Sequence, residues 1–294
     1  MRLFTDALAR RATGLVAALP GLLVLLIVVG LFLKSKAILS VEPLSRLLFS
    51  AAWHPLKGEF GLLAFIAGTV WVTVTALVLA VPVSILAAIY LSEYAPRWVR
   101  EGAKPVVDLL AGLPSVVYGV WGVILVVPFV GEVLAPLAGV PSSGYSILAG
   151  GIVLAIMTFP TIIHVTLEVF SSVPRSLRDA SLSLGATKWE TTRHVVLRKG
   201  AQGILAASVL GFSRAFGETM AVLMVVGNVA AVPRSLFDPG YPLPALIANN
   251  YGEMMSVPRY DAALMAAALV LMVIVLFFNV LARKILVRVE RRVR

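Results

Sequence analysis

The chain has 294 residues, 60% of them hydrophobic, and a formal net charge of +10, with a mean hydropathy of +0.96. An apolar share above the soluble norm of about half makes the bilayer the first expectation. There are no cysteines, which excludes disulfides, thiolate catalysis and cysteine metal sites.

Six windows are long enough to cross a hydrocarbon core about 30 Å thick, which takes about 20 helical residues. They fall near Leu15–Leu33, Leu62–Tyr90, Val106–Val130, Ser146–Phe170, Gly203–Gly227 and Asp261–Ala282. None shows the dyad alternation of barrel strands, so the expected fold is all-α, six transmembrane helices in a single membrane domain over residues 1–294. Arg2, Arg10 and Arg11 precede the first window like the basic region of a signal peptide. Its apolar run is long, however, and Lys34-Ser-Lys36 follows where small cleavage-site residues belong, so it reads as a retained anchor.

The basic residues are unevenly spread. Eighteen of the 25 lysines and arginines fall on one side, in the segments around Arg2–Arg11, Arg97–Lys104, Arg175–Lys199 and Arg283–Arg294. The opposite loops hold six, Lys34, Lys36, Arg46, Lys57, Arg234 and Arg259, and Arg214 is left inside a span. The positive-inside bias puts both termini in the cytoplasm and accounts for the charge without nucleic acid.

The first outside loop, Lys34–Gly61, carries Trp53-His54-Pro55. The Glu132–Tyr145 loop is short. The last, Asn228–Tyr260, is long and proline-rich, and its Ala245–Met255 stretch reads as a short helix or re-entrant segment. Pro82, Pro128 and Pro160 are placed to bend their helices by removing a main-chain donor.

Catalytic motifs are missing. The nearest approach to a phosphate-binding loop, Gly139 to Ser146, has Tyr145 where the lysine must be. His54, His164 and His194 lie in separate segments and do not suggest a metal site; His164 is expected to pack or hydrogen-bond within the bundle. The chain therefore does not read as a catalyst or as an ATPase by itself, and no cofactor bound by it is expected. Inside the fifth window, Arg214 and Glu218 are four residues apart, which puts them on one helical face. An arginine at a helix centre costs about 2.5–3.5 kcal/mol on insertion scales, so it faces a partner charge or a water-filled path. Two readings follow: a neutralising pair that locks the bundle, or an anion ligand, Arg214, oriented and moderated by Glu218. Asp108 and Glu168 are expected to cap helices or pair with nearby arginines and lysines, and Asp261 suits a helix N-terminus.

The 175–200 segment is too structured for a simple loop. Asp179–Leu184 and Lys188–Leu197 read as two short helices around Gly185, which permits a left-handed cap or close backbone approach. Its apolar residues Leu182, Leu184 and Trp189 suit either the membrane surface or the groove of a soluble partner.

At these residues the chain resembles the permease subunits of bacterial ABC importers. Their cytoplasmic loop reads Glu-Ala-Ala, three residues, Gly, nine residues, then Ile-x-Leu-Pro. Here Asp179-Ala180-Ser181 precedes Gly185 at that spacing and Val195-x-Leu197-Arg198 follows, with Asp for Glu and Arg198 for the proline. Asp108 to Gly122, Ser172 to Arg178 and Arg214 to Met224, with Trp53-His-Pro and Phe60-Gly61, resemble the PstC-type permeases of phosphate importers.

The resemblance implies a type I importer permease fold with its core at about residues 62–282. It implies a PstA-type permease as heterodimer partner, two PstB-type ATPases that use ATP and Mg, and a periplasmic PstS-type phosphate-binding protein. It also implies that Asp179, Ala180, Gly185, Ala186, Thr187, Trp189 and Leu197 couple to the ATPase and that Arg214 and Glu218 belong to the phosphate path. Permeation of sulfate or molybdate, and an ATP-independent ion-coupled carrier or channel, are the alternatives at this point.

Overall fold

The computed structural model of the protein describes residues 2–253 and 256–293; Met255, the expected end of the re-entrant stretch, and Arg294 lie outside them. Six helices among the described residues are long and apolar enough to span a bilayer: Val16–Leu39, Leu63–Tyr94, Ser115–Leu137, Ile147–Ser172, Lys188–Phe216 and Tyr260–Ile285. The second and fourth spans form the central pair, the fifth packs against the fourth, and the first lies against the sixth. The bundle has a basic end, which carries the 175–200 segment, and an opposite, far end.

The third span departs from expectation. It begins at Ser115, not Val106, because residues 106–112 belong to a separate helix, Arg97–Gly112. Leu113 and Pro114 are extended, since Pro114 has no N–H to continue the ladder. Arg97–Gly112 mixes charged residues with apolar ones at helical spacing, which suits an interface better than a span. Tyr118 bridges the break, its hydroxyl donating to the Leu110 carbonyl at 2.6 Å. Beyond it the span continues to Leu137, into the stretch expected to be a loop. Two wide π-turns, Gly122–Val126 and Val130–Leu134, lie just before Pro128 and Pro136, where the missing donors favour a looser ladder.

The second helix of the 175–200 segment is not a separate short element either. Lys188–Thr191 runs through a π-turn, Thr192–Val196, into Leu197–Phe216. The helix passes Arg198 without interruption, so the departure from the family's proline coincides with one continuous rod. This rod crosses the fourth span at Gly200 and Gly203. A Cβ on Gly203 would meet Val169 Cγ2 at 2.2 Å, so only glycine allows this approach.

At the far end, the connection after the fifth span folds back into the bundle. Its helix is Leu243–Asn250, beginning two residues before the expected start and ending well before Met255. Leu243, Ala245 and Leu246 are fully buried, and the Leu243 N–H donates to Thr69 Oγ1 at 2.8 Å. The stretch therefore packs as core. Beside it, Trp53 of a short hairpin meets Phe60 and Phe65 edge-on at 5.6 and 5.0 Å.

At the basic end, the last turn of the second span, Tyr90–Tyr94, is a junction for three elements. Arg178 of helix Arg175–Ser183 donates to both Glu93 carboxylate oxygens, at 2.9 and 3.3 Å, and to the Phe170 and Val173 carbonyls. Lys188 sits 4.9 Å from the centre of the Tyr94 ring. Arg100 donates to the Leu91 and Ser92 carbonyls. The Arg178 and Glu93 side chains are 17% and 10% exposed, and removing one member of a buried ion pair strands the other. Replacing Arg178 with Leu should therefore destabilise the fold by about 3 kcal/mol, read as a lowered unfolding temperature of the purified protein. Glu93→Gln, which keeps a hydrogen-bond acceptor, should cost less.

Candidate functional site

The fifth span breaks where its charges lie. Its helix ends at Phe216, Gly217 to Thr219 are non-helical, and a short helix, Met220–Val225, resumes against the third and fourth spans. Arg214 and Glu218 therefore do not share one uninterrupted helical face, and no ion pair joins them. Gly217, with its high cost in a helix interior, sits at the break. Glu218 turns instead to the next segment, its Oε1 accepting from the Ala221 N–H at 3.2 Å.

Arg214 reaches the other way, across to the fourth span. Its Nη1 donates to Thr161 Oγ1 at 3.1 Å. The preceding residue, Ser213, donates to Asn279 Oδ1 of the sixth span at 2.7 Å. Neighbouring side chains thus tie the fifth span to the fourth and the sixth. Among the described residues no carboxylate lies within ion-pair distance of Arg214. A guanidinium inside an apolar bundle is held here by a neutral hydroxyl, with its other donors free for an anion. Thr161 and Asn279 were not singled out from the sequence. A lone asparagine within the apolar run Leu271–Val280 was the available signal.

Asp108 and His164 also meet unexpectedly. The His164 Nε2 lies 2.6 Å from Asp108 Oδ1, joining the fourth span to helix Arg97–Gly112. Asp108 thus pairs with a histidine in place of the expected arginine or lysine. Beside this contact opens a cavity of about 1030 Å³, bounded by the second and fourth spans, Arg97–Gly112 and the 175–200 segment.

The 175–200 segment presents a compact exposed surface at the basic end. Helix Arg175–Ser183 closes at Gly185, whose φ of +85° is left-handed. The Gly185 and Ala186 N–H groups donate back to the Leu182 and Ser181 carbonyls. Thr187 then caps the next helix reciprocally with Glu190: Thr187 Oγ1 accepts from the Glu190 N–H and Glu190 Oε2 from the Thr187 N–H. Ser181 and Thr191 hydroxyls meet at 2.9 Å and clasp the two helices together. The Thr-x-x-Glu spacing was legible as a capping box but was passed over.

Asp179, Ala180 and Thr187 are exposed, as is Trp189 at 51%, and Leu184 stands 89% exposed. Ala186 is half-buried. Leu197 is the exception, packing inward against Ala88, Ile89, Phe170 and Val196. A Cβ on Gly185 would meet nothing within 4 Å, so its space is open in this chain.

Residues 80–294 match the family model described as the binding-protein-dependent transport system inner membrane component. The chain belongs to this family. It is 38% identical to the phosphate transport system permease protein PstC of Xylella fastidiosa (strain 9a5c), over 83% of this chain and 79% of that one. It is 37% identical to the protein of the same name from Mesorhizobium japonicum, over 98% and 92%. The Haemophilus influenzae counterpart is 33% identical over 97% and 94%. Among solved structures, a bacterial ABC transporter involved in the import of the acidic polysaccharide alginate superposes with a TM-score of 0.63 at 16% identity, covering 98% of this chain and 99% of that one. A bacterial alginate ABC transporter in complex with its alginate-bound periplasmic protein superposes with a TM-score of 0.60 at 17% identity, covering 96% of each chain. These likenesses support the fold alone.

Because Arg214 leans on Thr161, the two should be energetically coupled. A double-mutant cycle with Thr161→Val and Arg214→Leu should return an interaction of about 1.5–3 kcal/mol, the range of hydrogen bonds to charged groups. Thermal unfolding of the four purified proteins measures it, and strict additivity would refute the contact.

Proposed function

We propose that this chain is a permease subunit of an ATP-binding-cassette importer that moves inorganic phosphate from the periplasm to the cytoplasm. The observation that carries the reading is Arg214, a cation inside the bundle whose recorded partner is a neutral hydroxyl. Its missing counter-charge is what an oxyanion cargo would provide, with two N–H groups in a fork matched to phosphate oxygens. The phosphate-permease relatives at 33–38% identity support the choice of cargo. The rival neutralising-pair reading loses support, since Glu218 engages the Ala221 N–H.

The basic end faces the cytoplasm, with both termini on that side, in keeping with the uneven spread of lysine and arginine. A PstA-type permease forms the second half of the path. A periplasmic PstS-type protein delivers phosphate to the far end. Two PstB-type ATPases bind at the basic end, where they use ATP and Mg; this chain binds no cofactor and hydrolyses nothing. The docking surface is the exposed Asp179–Trp189 face, with Leu184 as the apolar anchor of a helix-in-groove contact. Closing of the ATPase pair moves that face, and alternating access follows. Arg214 holds the anion briefly, since a path must bind well enough for entry and weakly enough for release.

The complex purified from native membrane and reconstituted in liposomes tests this directly. Phosphate with its binding protein should stimulate ATP hydrolysis and uptake, while sulfate or molybdate with theirs should not. Arg214→Leu should abolish phosphate uptake while every subunit still co-purifies, and normal uptake would sink the assignment. Gly185→Trp should uncouple transport from ATP hydrolysis. The change strains a left-handed position by about 1–2 kcal/mol and places an indole in space that is empty in this chain. Unchanged ATPase binding and transport would remove Gly185 from the coupling surface.

A further inference from the structure

The cavity at the basic end penetrates further than a surface loop requires. His164 lines it, and stands eight residues before the end of the fourth-span helix at Ser172. At 1.5 Å per residue that is about 12 Å along the helix. An ionisable side chain at such depth, half exposed, requires water around it.

The fourth span is two-faced over this stretch. Ile162, Thr166 and Phe170 are buried, whereas His164, Glu168 and Ser171 are exposed and line the cavity. Thr161, His164, Glu168 and Ser171 follow 3-4-3 spacing and so share one helical face. The uppermost of them, Thr161, is the residue that holds Arg214. One polar face thus leads from the half-buried Arg214 to the cavity.

The charges around the mouth divide into engaged and free. Arg178 is occupied by Glu93, Arg100 by main-chain carbonyls and Lys188 by the Tyr94 ring. Lys104 and Arg175 line the cavity and enter no hydrogen bond or ion pair among the described residues. Asp108 is engaged with His164, and the carboxylates of Glu168 and Asp179 face the same space. With five basic and four acidic side chains the lining is close to balanced, so it offers an anion contacts without a deep trap.

We propose that this cavity is the inner vestibule of the transport path. The oxyanion leaves Arg214 along the Thr161–His164–Glu168 face and passes Lys104 and Arg175 to reach water. The His164–Asp108 contact is the bar across this route, since it joins the fourth span to helix Arg97–Gly112 beside it. The assignment rests on the oxyanion-import reading above and adds to it the residues of the exit.

This chain has no native cysteine, so labelling read on this chain reports only the introduced thiol. The single substitutions His164→Cys and Glu168→Cys, with Thr166→Cys as the buried control, are made in the complete reconstituted complex. Each is exposed to a negatively charged methanethiosulfonate from the side bearing the coupling segment. The thiols introduced at positions 164 and 168 should react at least about tenfold faster than the one at position 166, since thiol modification follows access. Millimolar inorganic phosphate should slow both several-fold, and modification should block uptake. Equal rates at 166 and 168, or rates indifferent to every oxyanion tried, would overturn the vestibule. Protection by sulfate in place of phosphate would keep the vestibule and overturn the choice of cargo. Loss of uptake in Arg214→Leu with no labelling at 164 or 168 would keep the cargo and overturn the exit. The bar has its own readout: Asp108→Asn, added to Glu168→Cys, should speed labelling at position 168, and an unchanged rate removes that role.

Discussion

In hydrocarbon a main-chain amide has no water to turn to, and each interruption of this bundle is arranged around that fact. The prolines of the third span are absorbed by wide π-turns that keep the chain helical through Leu137. The break at Gly217–Thr219 exposes the start of a new helix, and the Glu218 carboxylate accepts from the Ala221 N–H there. The buried helix Leu243–Asn250 begins with an N–H donated to a threonine of the second span. Interruptions that are satisfied from within let irregular backbone sit at depth, which is where a path for a charged solute must pass.

The same economy of partners governs the charges. Arg178 uses a carboxylate and two carbonyls, and so fixes helix Arg175–Ser183 to the ends of both the second and fourth spans. Arg214 has a single hydroxyl. Two arginines in one chain are thus provided for in opposite ways: one is fully engaged at a junction, and the other is left with donors to spare. This contrast, more than the presence of an arginine in a span, separates a structural residue from one suited to a mobile anion.

Much of this was legible in the sequence. Length and hydropathy give six spans because the bilayer sets a minimum apolar length that periodicity cannot disguise. The residues around Gly185 marked a helix, a turn and a second helix, and Gly185 was expected to allow the left-handed turn that it adopts. The errors share a cause. Val106–Val130 looked like one span because a hydropathy window averages over Pro114, which ends one helix and starts another. Arg214 and Glu218 were placed on one helical face because four-residue spacing assumes an unbroken helix, and Gly217 breaks it. His164–Asp108 and Arg214–Thr161 join elements far apart in the chain, so no local pattern carried them.

The uninterrupted helix from Lys188 to Phe216 has a mechanical meaning. Trp189 near its base and Arg214 near its tip are about 38 Å apart along the axis at 1.5 Å per residue. The glycine crossing with the fourth span lies about midway between them, where a Cβ on either glycine would crowd Val169. A rod held at Gly200 and Gly203 would act as a balanced lever with that crossing as its fulcrum. A tilt applied at the tryptophan would swing the guanidinium by a similar distance in the opposite direction. A tilt of about 5° would displace each end by about 1–2 Å on that geometry, enough to part a hydrogen bond of 3.1 Å.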